Sequence, residues 1–139
     1  MIFEIVIPGK EQGKGRPRFS KYSGAYTPAP TVRYEKRIAN AFREKYPNHK
    51  LIDEAIELEM ESYFYVPKSW TKKKKAQAFS GEMLPLKKPD IDNVLKIVDG
   101  LNNVAWTDDA LITDARIKKR YASAPNEERL IIKFKKKEN

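Results

Sequence analysis

The sequence contains no cysteine and a single histidine, His49. The first absence excludes disulfide bonds, thiolate metal sites and cysteine nucleophiles together. The second makes serine–histidine chemistry improbable, and because His49 follows a Tyr-Pro-Asn turn after a predicted helix, we interpret it as an exposed surface residue. Any metal ion held by this protein must therefore be bound mainly by oxygen atoms.

Long hydrophobic runs are also missing. No stretch approaches the ~20 apolar residues that a membrane-spanning helix needs, and no cationic-apolar signal segment opens the chain. We therefore expect a soluble, cytoplasmic protein without a membrane partner. The length of 139 residues suits one domain with a substantial core, and we assign residues 1–139 to it.

Positive charge is in clear excess. Lysine and arginine number 28 against 19 acidic residues, which gives a formal net charge of +9. The natural partner of such a surface is a polyanion. Since the sequence carries no membrane segment, nucleic acid is the first candidate.

The spacing of apolar residues predicts a small α+β domain, in which a mixed sheet packs with two main helices. In chain order the predicted elements are a strand at 2–7, an amphipathic helix from the N-cap Thr31 to near Pro47, an alternating strand at 55–66, a short basic helix or ordered loop at 67–82, an apolar helix beginning near residue 90, and strands at 113–122 and 129–135. The turn between the last two strands predicts an antiparallel hairpin. The helix near residue 90 should pack on the sheet through Ile91, Val94, Leu95, Val98 and Leu101.

Basic side chains are concentrated on three of these segments. The loop after the first strand mixes glycines with cations, but it lacks the glycine spacing and the terminal Lys-Ser/Thr of a Walker loop. A solvated loop without a ligand is the alternative there. We expect DNA phosphates to contact this loop, the first helix and one face of the strand at 113–122, through Lys14, Arg16, Arg18, Arg33, Arg37, Arg116, Lys118 and Arg120.

Two aspartates stand where the apolar helix begins. Residues at i and i+2 lie on nearly opposite sides of a helix, so Asp90 and Asp92 cannot point to one place from inside it. Pro89 favours a helix entrance, which puts Asp90 at or before the cap, from where it can fold back toward Asp92. The simpler alternative is that both acids stabilise the helix N-terminus and that Asp92 forms an ordinary ion pair with Lys96, worth ~0.2–0.5 kcal/mol.

A second acidic cluster follows, with Asp108 and Asp109 directly after Trp106. A short connection can return this segment to the N-terminal end of the helix, where Asp92, Lys96 and Asp99 share one face. Hard cations such as Mg²⁺ prefer carboxylate oxygens, and gathered carboxylates otherwise repel one another. The sequence thus indicates a metal ion beside a bound phosphate. A row of glutamates on the strand at 55–66 could also suggest a metal site, but a solvated face is the favoured interpretation: Glu57, Glu59 and Glu61.

The segment KKPDIDNVLKIVDGLNNVAWTDD resembles the signature of the RusA family of Holliday junction resolvases, the crossover junction endodeoxyribonucleases. That signature is D-x-D-N-x-x-K at the start of an apolar helix, followed by a D-D pair. The early GKGRPRF and the Tyr-Thr-Pro before the first helix are also similar to the family, so the resemblance covers most of the chain.

The resemblance implies a homodimeric endonuclease of bacterial or phage origin that resolves four-way DNA junctions by paired symmetric nicks in recombination and repair. It implies that Asp90, Asp92 and Asp109 bind Mg²⁺, with Mn²⁺ as an alternative, that Asp108 is a close neighbour, and that Lys96 is catalytic. Two rival functions remain open. One is a metal nuclease acting on flaps or forks, and the other is a basic nucleic-acid-binding protein without enzymatic activity.

Overall fold

A four-stranded sheet forms the centre of the computed structural model, which describes residues 1–10, 18–20, 24–26 and 28–138. The helices and strands are β1 (Phe3–Pro8), β2 (Arg18–Ser20), β3 (Gly24–Tyr26), α1 (Ala29–Lys45), β4 (Ile56–Phe64), α2 (Lys72–Phe79), α3 (Ile91–Lys96), β5 (Ile112–Tyr121) and β6 (Arg129–Lys136). Two 3₁₀ segments, Ile97–Leu101 and Asp109–Leu111, lie between α3 and β5. The predicted α+β class is confirmed.

The strand order in the sheet is β1-β6-β4-β5, and β6 is antiparallel to both of its neighbours while β4 and β5 run parallel. The predicted hairpin between β5 and β6 is therefore wrong, because β4 lies between them. The apolar positions of β4 match those of both neighbours, and Met60 is registered with Ile132 on one side and Ile117 on the other. The turn sequence could not indicate this insertion, since it depends on pairing with a distant strand.

The core lies on one face of the sheet. Every second residue of β4 is buried there, and α1 and the segment from α3 to Leu101 cover this face. Trp106 is fully buried in the same core, stacks edge-on against Phe134 with ring centres 5.0 Å apart, and donates from Nε1 to Asn102 Oδ1 at 2.8 Å. This anchor holds the chain immediately before Asp108 and Asp109.

The opposite face of β4 is open to solvent, as the favoured interpretation of its glutamates predicts. Glu57 is registered with Lys135 on β6 and Asp114 on β5, and its carboxylate lies 3.7 Å from the Lys135 ammonium. The glutamate row is thus part of a charged sheet surface. In the described part of the chain, no helix is both long and apolar enough to cross a bilayer.

The helix after Asp90 differs from its predicted form. It ends at Lys96 and tightens into a 3₁₀ turn, which changes the rotation per residue and hence the set of buried positions. Ile97 is buried although it was not among the predicted packing residues, whereas Ile91 is 44% exposed. Val94, Val98 and Leu101 pack as predicted.

Several other predicted boundaries need correction. The first helix begins at Ala29, so Thr31 is buried within its first turn and is not the cap. The loop after β1 contains a small antiparallel pair, β2 and β3, that we did not predict. His49 is partly buried, not exposed: its Nε2 lies 2.8 Å from the carbonyl oxygen of Ala105, and its ring packs against Phe3 and Phe42. The segment at 67–82 does form a helix, capped by the Thr71 side chain and ending before Gly81.

Candidate active site

Asp90 occupies the N-cap position of α3, as predicted from Pro89. Its backbone carbonyl accepts a hydrogen bond from the Val94 N–H at 3.0 Å, but its side chain makes no capping hydrogen bond. The residue is exposed. Its carboxylate therefore does not serve the helix as a cap and remains available to a ligand.

Asp92 and Lys96 lie in the first and last turns of α3, and both are exposed. The ion pairs that form within the described ranges join other residues: Lys135–Glu57, Lys136–Glu54 and Lys137–Asp114. The ordinary Asp92–Lys96 pair that would explain these residues structurally is absent from that set. The alternative that Asp92 and Lys96 only form an ordinary ion pair is thereby weakened.

Asp108 and Asp109 make different contacts. Asp108 caps the 3₁₀ segment Asp109–Leu111, and its Oδ1 accepts a hydrogen bond from the Ala110 N–H at 3.0 Å. This hydrogen bond, together with one to the Asp109 side chain, lowers the pKa of Asp108. Asp108 is thus engaged in the turn and with Asp109, whereas Asp109 also contacts a further acid.

Asp109 is directed toward Asp99. A side-chain hydrogen bond with Asp99, a second with Asp108, partial burial and repulsion from both acids raise the pKa of Asp109 to about 6. Asp109 also lines a small cavity of ≈ 230 Å³ together with Lys96. The structure thus brings together Lys96, predicted to be catalytic, and Asp109, predicted to bind the metal. It adds Asp99, which sequence reasoning left out of the site although its position on the face of Asp92 and Lys96 gave a signal.

The sequence predicts that acidic residues hold a metal ion, and the chemistry of their side chains is compatible with one. Carboxylate oxygens are the ligands that hard divalent cations prefer, and a nearby cation would relieve the repulsion that raises the pKa of Asp109. Within the described residues, however, no group of three or more acidic or histidine side chains is close enough to hold a metal ion. The joint assignment of Asp90, Asp92 and Asp109 as ligands therefore stays a prediction.

A larger cleft of ≈ 850 Å³ runs along the free edge of β5 and reaches Asp90. One side is β5 itself, which contributes the predicted phosphate contacts Arg116, Lys118 and Arg120. The other side is the segment that leads into α3, and it contributes Leu84, Pro85, Leu86, Lys87, Lys88 and Ile91. Asp90, a predicted metal ligand, thus lines the same cleft as the predicted phosphate-binding residues of β5.

Of the other five residues predicted to contact DNA, the structure describes the side chains of two. Lys14 and Arg16 lie outside the described residues, and Arg18 lies in β2 with a side chain that is also outside them. Arg33 is exposed on α1. Arg37 donates to the carbonyl of Pro8 at 2.9 Å, so part of its guanidinium holds α1 against the end of β1.

Comparison with known proteins gives two findings. The model of the family described as Endodeoxyribonuclease RusA matches residues 8–134, which is nearly the whole chain. A protein of Bacillus subtilis strain 168 with the name Uncharacterized protein YqaN is 30% identical over 134 residues, which span 92% of this chain and 94% of that protein. Both matches include the acidic segment and the β5 cleft.

Proposed function

We propose, from the premise that this chain belongs to the RusA family of endodeoxyribonucleases, that it resolves four-way DNA junctions by metal-dependent hydrolysis of phosphodiester bonds. One observation carries the proposal beyond family membership. Asp90 lines the same cleft as Arg116, Lys118 and Arg120, so a phosphate bound by these cations would share the cleft with a carboxylate that makes no capping hydrogen bond to α3.

The residues proposed to hold the metal are Asp90, Asp92 and Asp109, with Mg²⁺ as the expected ion and Mn²⁺ as the alternative. When bound, the ion would make an attacking water more acidic and offset negative charge on the scissile phosphate. Asp99 shares a hydrogen bond with Asp109 and would orient that carboxyl group. Asp108 would fix the turn that presents it.

Lys96 is proposed to act on the phosphate directly. Its ammonium group is exposed at the cavity that Asp109 also lines. A positive charge there favours the transition state, in which negative charge accumulates on the phosphate oxygens. In-line attack should leave a 3′-hydroxyl and a 5′-phosphate.

Paired nicks need two active sites. A four-way junction has approximate two-fold symmetry, so a two-fold dimer would present one site to each of two strands. We therefore propose a homodimer. Light scattering at the concentration used for cleavage should give twice the mass of the chain, and a monomeric mass would count strongly against paired nicking.

The decisive experiment incubates the purified protein with a labelled four-way junction, a flap, a fork and a matched linear duplex, each with Mg²⁺, with Mn²⁺ and with EDTA. We expect metal-dependent symmetric nicks in the junction, and junction binding but no cleavage by Asp92→Asn. Preferred cutting of flaps or forks would replace the junction with another branched substrate. Tight binding without cleavage in any metal would support the basic binding protein instead.

A further inference from the structure

Five lysines are concentrated in the segment between β4 and α3. They are Lys68 and the four consecutive residues Lys72–Lys75, and no acidic residue occurs between Glu61 and Glu82. Within the part of the chain that the structure describes, none of the five forms an ion pair. We call them the lysine patch (Lys68 and Lys72–Lys75). Lysines are common on protein surfaces, so their number alone does not indicate a ligand.

The position of these lysines destabilises α2. Lys72, Lys73 and Lys74 occupy the first turn of the helix, which has no acidic residue, and all three are exposed. The N-terminal end of a helix carries a partial positive charge, so cations are unfavourable there. Lys72 and Lys75 also repel each other, because residues at i and i+3 are neighbours on the helix surface. A bound polyanion would offset both repulsions.

The helix that carries the lysine patch is held against the end of β5. Ala78 of α2 is fully buried in a cluster that includes Tyr121, the last residue of β5. The Trp70 ring packs edge-on against Tyr121, with ring centres 5.3 Å apart. The Lys74 ammonium lies 4.0 Å from the centre of the Trp70 ring. The position of the lysine patch relative to β5 is therefore fixed by packing.

Strand β5 connects the lysine patch to the acidic residues. Asp109 lies in the 3₁₀ segment directly before β5, whereas α2 packs at the other end of the strand. A strand rises ~3.3 Å per residue, so the two ends of β5 are about 30 Å apart. The predicted phosphate contacts of the β5 cleft lie between them: Arg116, Lys118 and Arg120. Cations thus continue from the acidic residues along β5 to α2.

The exposed face of α2 offers charge and almost no apolar surface. Apart from the three lysines of the first turn, Ala76 is the only exposed residue of the helix. A protein partner typically needs an apolar or aromatic anchor at the centre of its interface, which this face lacks. Lysine binds phosphate as a point charge, and contacts to the DNA backbone do not depend on sequence. The lysine patch therefore suits the backbone of a DNA duplex.

We propose that the lysine patch binds the phosphate backbone of a duplex arm of the substrate, about nine base pairs from the cleaved bond, because each base pair adds ~3.4 Å to a duplex. This inference rests on the proposed function, which supplies the DNA substrate. The contact with the arm adds affinity and aligns the duplex with β5, so that the branch point lies at the acidic residues. DNA with arms too short to reach α2 lacks this contribution.

The test measures binding by fluorescence anisotropy in EDTA, where no cleavage occurs. The ligands are four-way junctions that share one central sequence, with hairpin-closed arms of about 6, 9, 12 or 16 base pairs. For wild-type protein, the affinity should rise about tenfold as the arms become longer than about nine base pairs. The double variant Lys72→Ala, Lys73→Ala should lose most of this rise. On the longest arms its slope of log affinity against log salt concentration should be smaller by about 2, one for each lost phosphate contact.

The matched control is Lys50→Ala, Lys136→Ala. It removes the same charge from two exposed lysines that do not line the β5 cleft, and it should keep the rise in affinity with arm length. Urea unfolding should find Lys72→Ala, Lys73→Ala at least as stable as wild type, because fewer cations then lie at the helix N-terminus. A lower affinity of this variant therefore cannot come from unfolding.

Wild-type affinity of Lys72→Ala, Lys73→Ala at every arm length would overturn the inference and make the lysine patch a solvated surface. An equal loss at every arm length would also overturn it, because the lysines would then act through overall charge or close to the branch point. If the wild-type protein binds none of the junctions, the proposed function and the inference both fail. Affinity that rises with arm length, but without cleavage when Mg²⁺ or Mn²⁺ is added, would contradict the proposed function alone.

Discussion

Asp109 and Asp99 share a side-chain hydrogen bond, and the proximity of these two acids raises the pKa of Asp109 to about 6. The two residues belong to different 3₁₀ segments, so the fold brings like charges together at the end of α3. Such an arrangement destabilises a protein unless a proton or a cation is present. Residues kept at a cost in stability are typical of functional sites.

We predict that Asp109→Asn stabilises the metal-free protein at neutral and alkaline pH. The folded-state pKa of about 6 lies above the model value of 3.8, so the folded protein binds the proton more tightly. The destabilisation of the folded protein by the ionised Asp109 carboxylate is therefore fully present above the folded-state pKa of about 6. It disappears as the pH falls below the unfolded-state pKa of 3.8. Because Asp109 is largely exposed, solvent screens the repulsion. We therefore expect the free energy of unfolding of Asp109→Asn to exceed that of wild type by only about 1 kcal/mol at pH 8.

Urea unfolding in EDTA at pH 8 and pH 4 checks this prediction, and the difference between the variant and wild type should be much smaller at pH 4, which is close to the unfolded-state pKa of 3.8. Addition of Mg²⁺ at pH 8 should stabilise wild type but not Asp109→Asn, because a ligand that binds only the folded state raises its stability. A variant that is less stable than wild type at pH 8 in EDTA would mean that the Asp109–Asp99 contact is not strained.

Lys96 should contribute to the chemical step and not to folding. We predict that Lys96→Ala cleaves the junction about a hundredfold more slowly at saturating DNA, since the loss of one preorganised charge in the transition state typically has that effect. Junction affinity and the Mg²⁺-dependent rise in stability should be retained. Single-turnover cleavage measures the rate, with Lys50→Ala as the control because Lys50 is exposed and lines neither cleft nor cavity at the site. An unchanged rate for Lys96→Ala would remove Lys96 from the mechanism.

The β5 cations should bind phosphate without reading sequence. We predict that Lys118→Ala weakens binding to all DNA substrates alike and reduces the slope of log affinity against log salt concentration by about 1, the value for one lost phosphate contact. Fluorescence anisotropy across a range of salt concentrations measures the slope for Lys118→Ala and for Lys50→Ala. Equal slopes for Lys118→Ala and wild type would place the DNA backbone away from β5.

Local sequence patterns were sufficient to predict the elements that depend on residues close in the chain. The alternation from Ile56 to Phe64 predicted β4, and Pro89 correctly predicted that Asp90 stands at the helix cap. Both features depend on residues close in the chain. The D-x-D-N-x-x-K and D-D motifs then led to the family, which the match over residues 8–134 confirmed.

The features that sequence reasoning missed depend on distant parts of the chain. The position of β4 between β5 and β6 arises from pairing on both sides of one strand, which no turn sequence records. The 3₁₀ turn after Lys96 arises where the chain packs against α1, and it moves Ile97 into the core and directs Asp99 toward Asp109. Asp99 was therefore omitted from the site, although it shares a face with Lys96.

The contact between α1 and this 3₁₀ turn offers a last test, because it positions Asp99. A Cβ atom added at Gly100 would lie 2.7 Å from the backbone oxygen of Glu35 and 3.0 Å from its Cα. Backbone atoms cannot move aside as a flexible side chain can, so Gly100→Ala should force the two segments apart. We predict a loss of about 2 kcal/mol in the free energy of unfolding.

The control for Gly100→Ala is Gly81→Ala, whose added Cβ meets nothing within 4 Å but whose φ of +84° is unfavourable for alanine. Gly81→Ala should lose about 1 kcal/mol through conformational strain alone and should keep wild-type cleavage. Gly100→Ala should lose cleavage as well, because separation of α1 from the 3₁₀ turn displaces Asp99 and with it Asp109. Urea unfolding and single-turnover cleavage measure the two effects. Full activity in a destabilised Gly100→Ala variant would show that the acidic residues keep their positions without this contact.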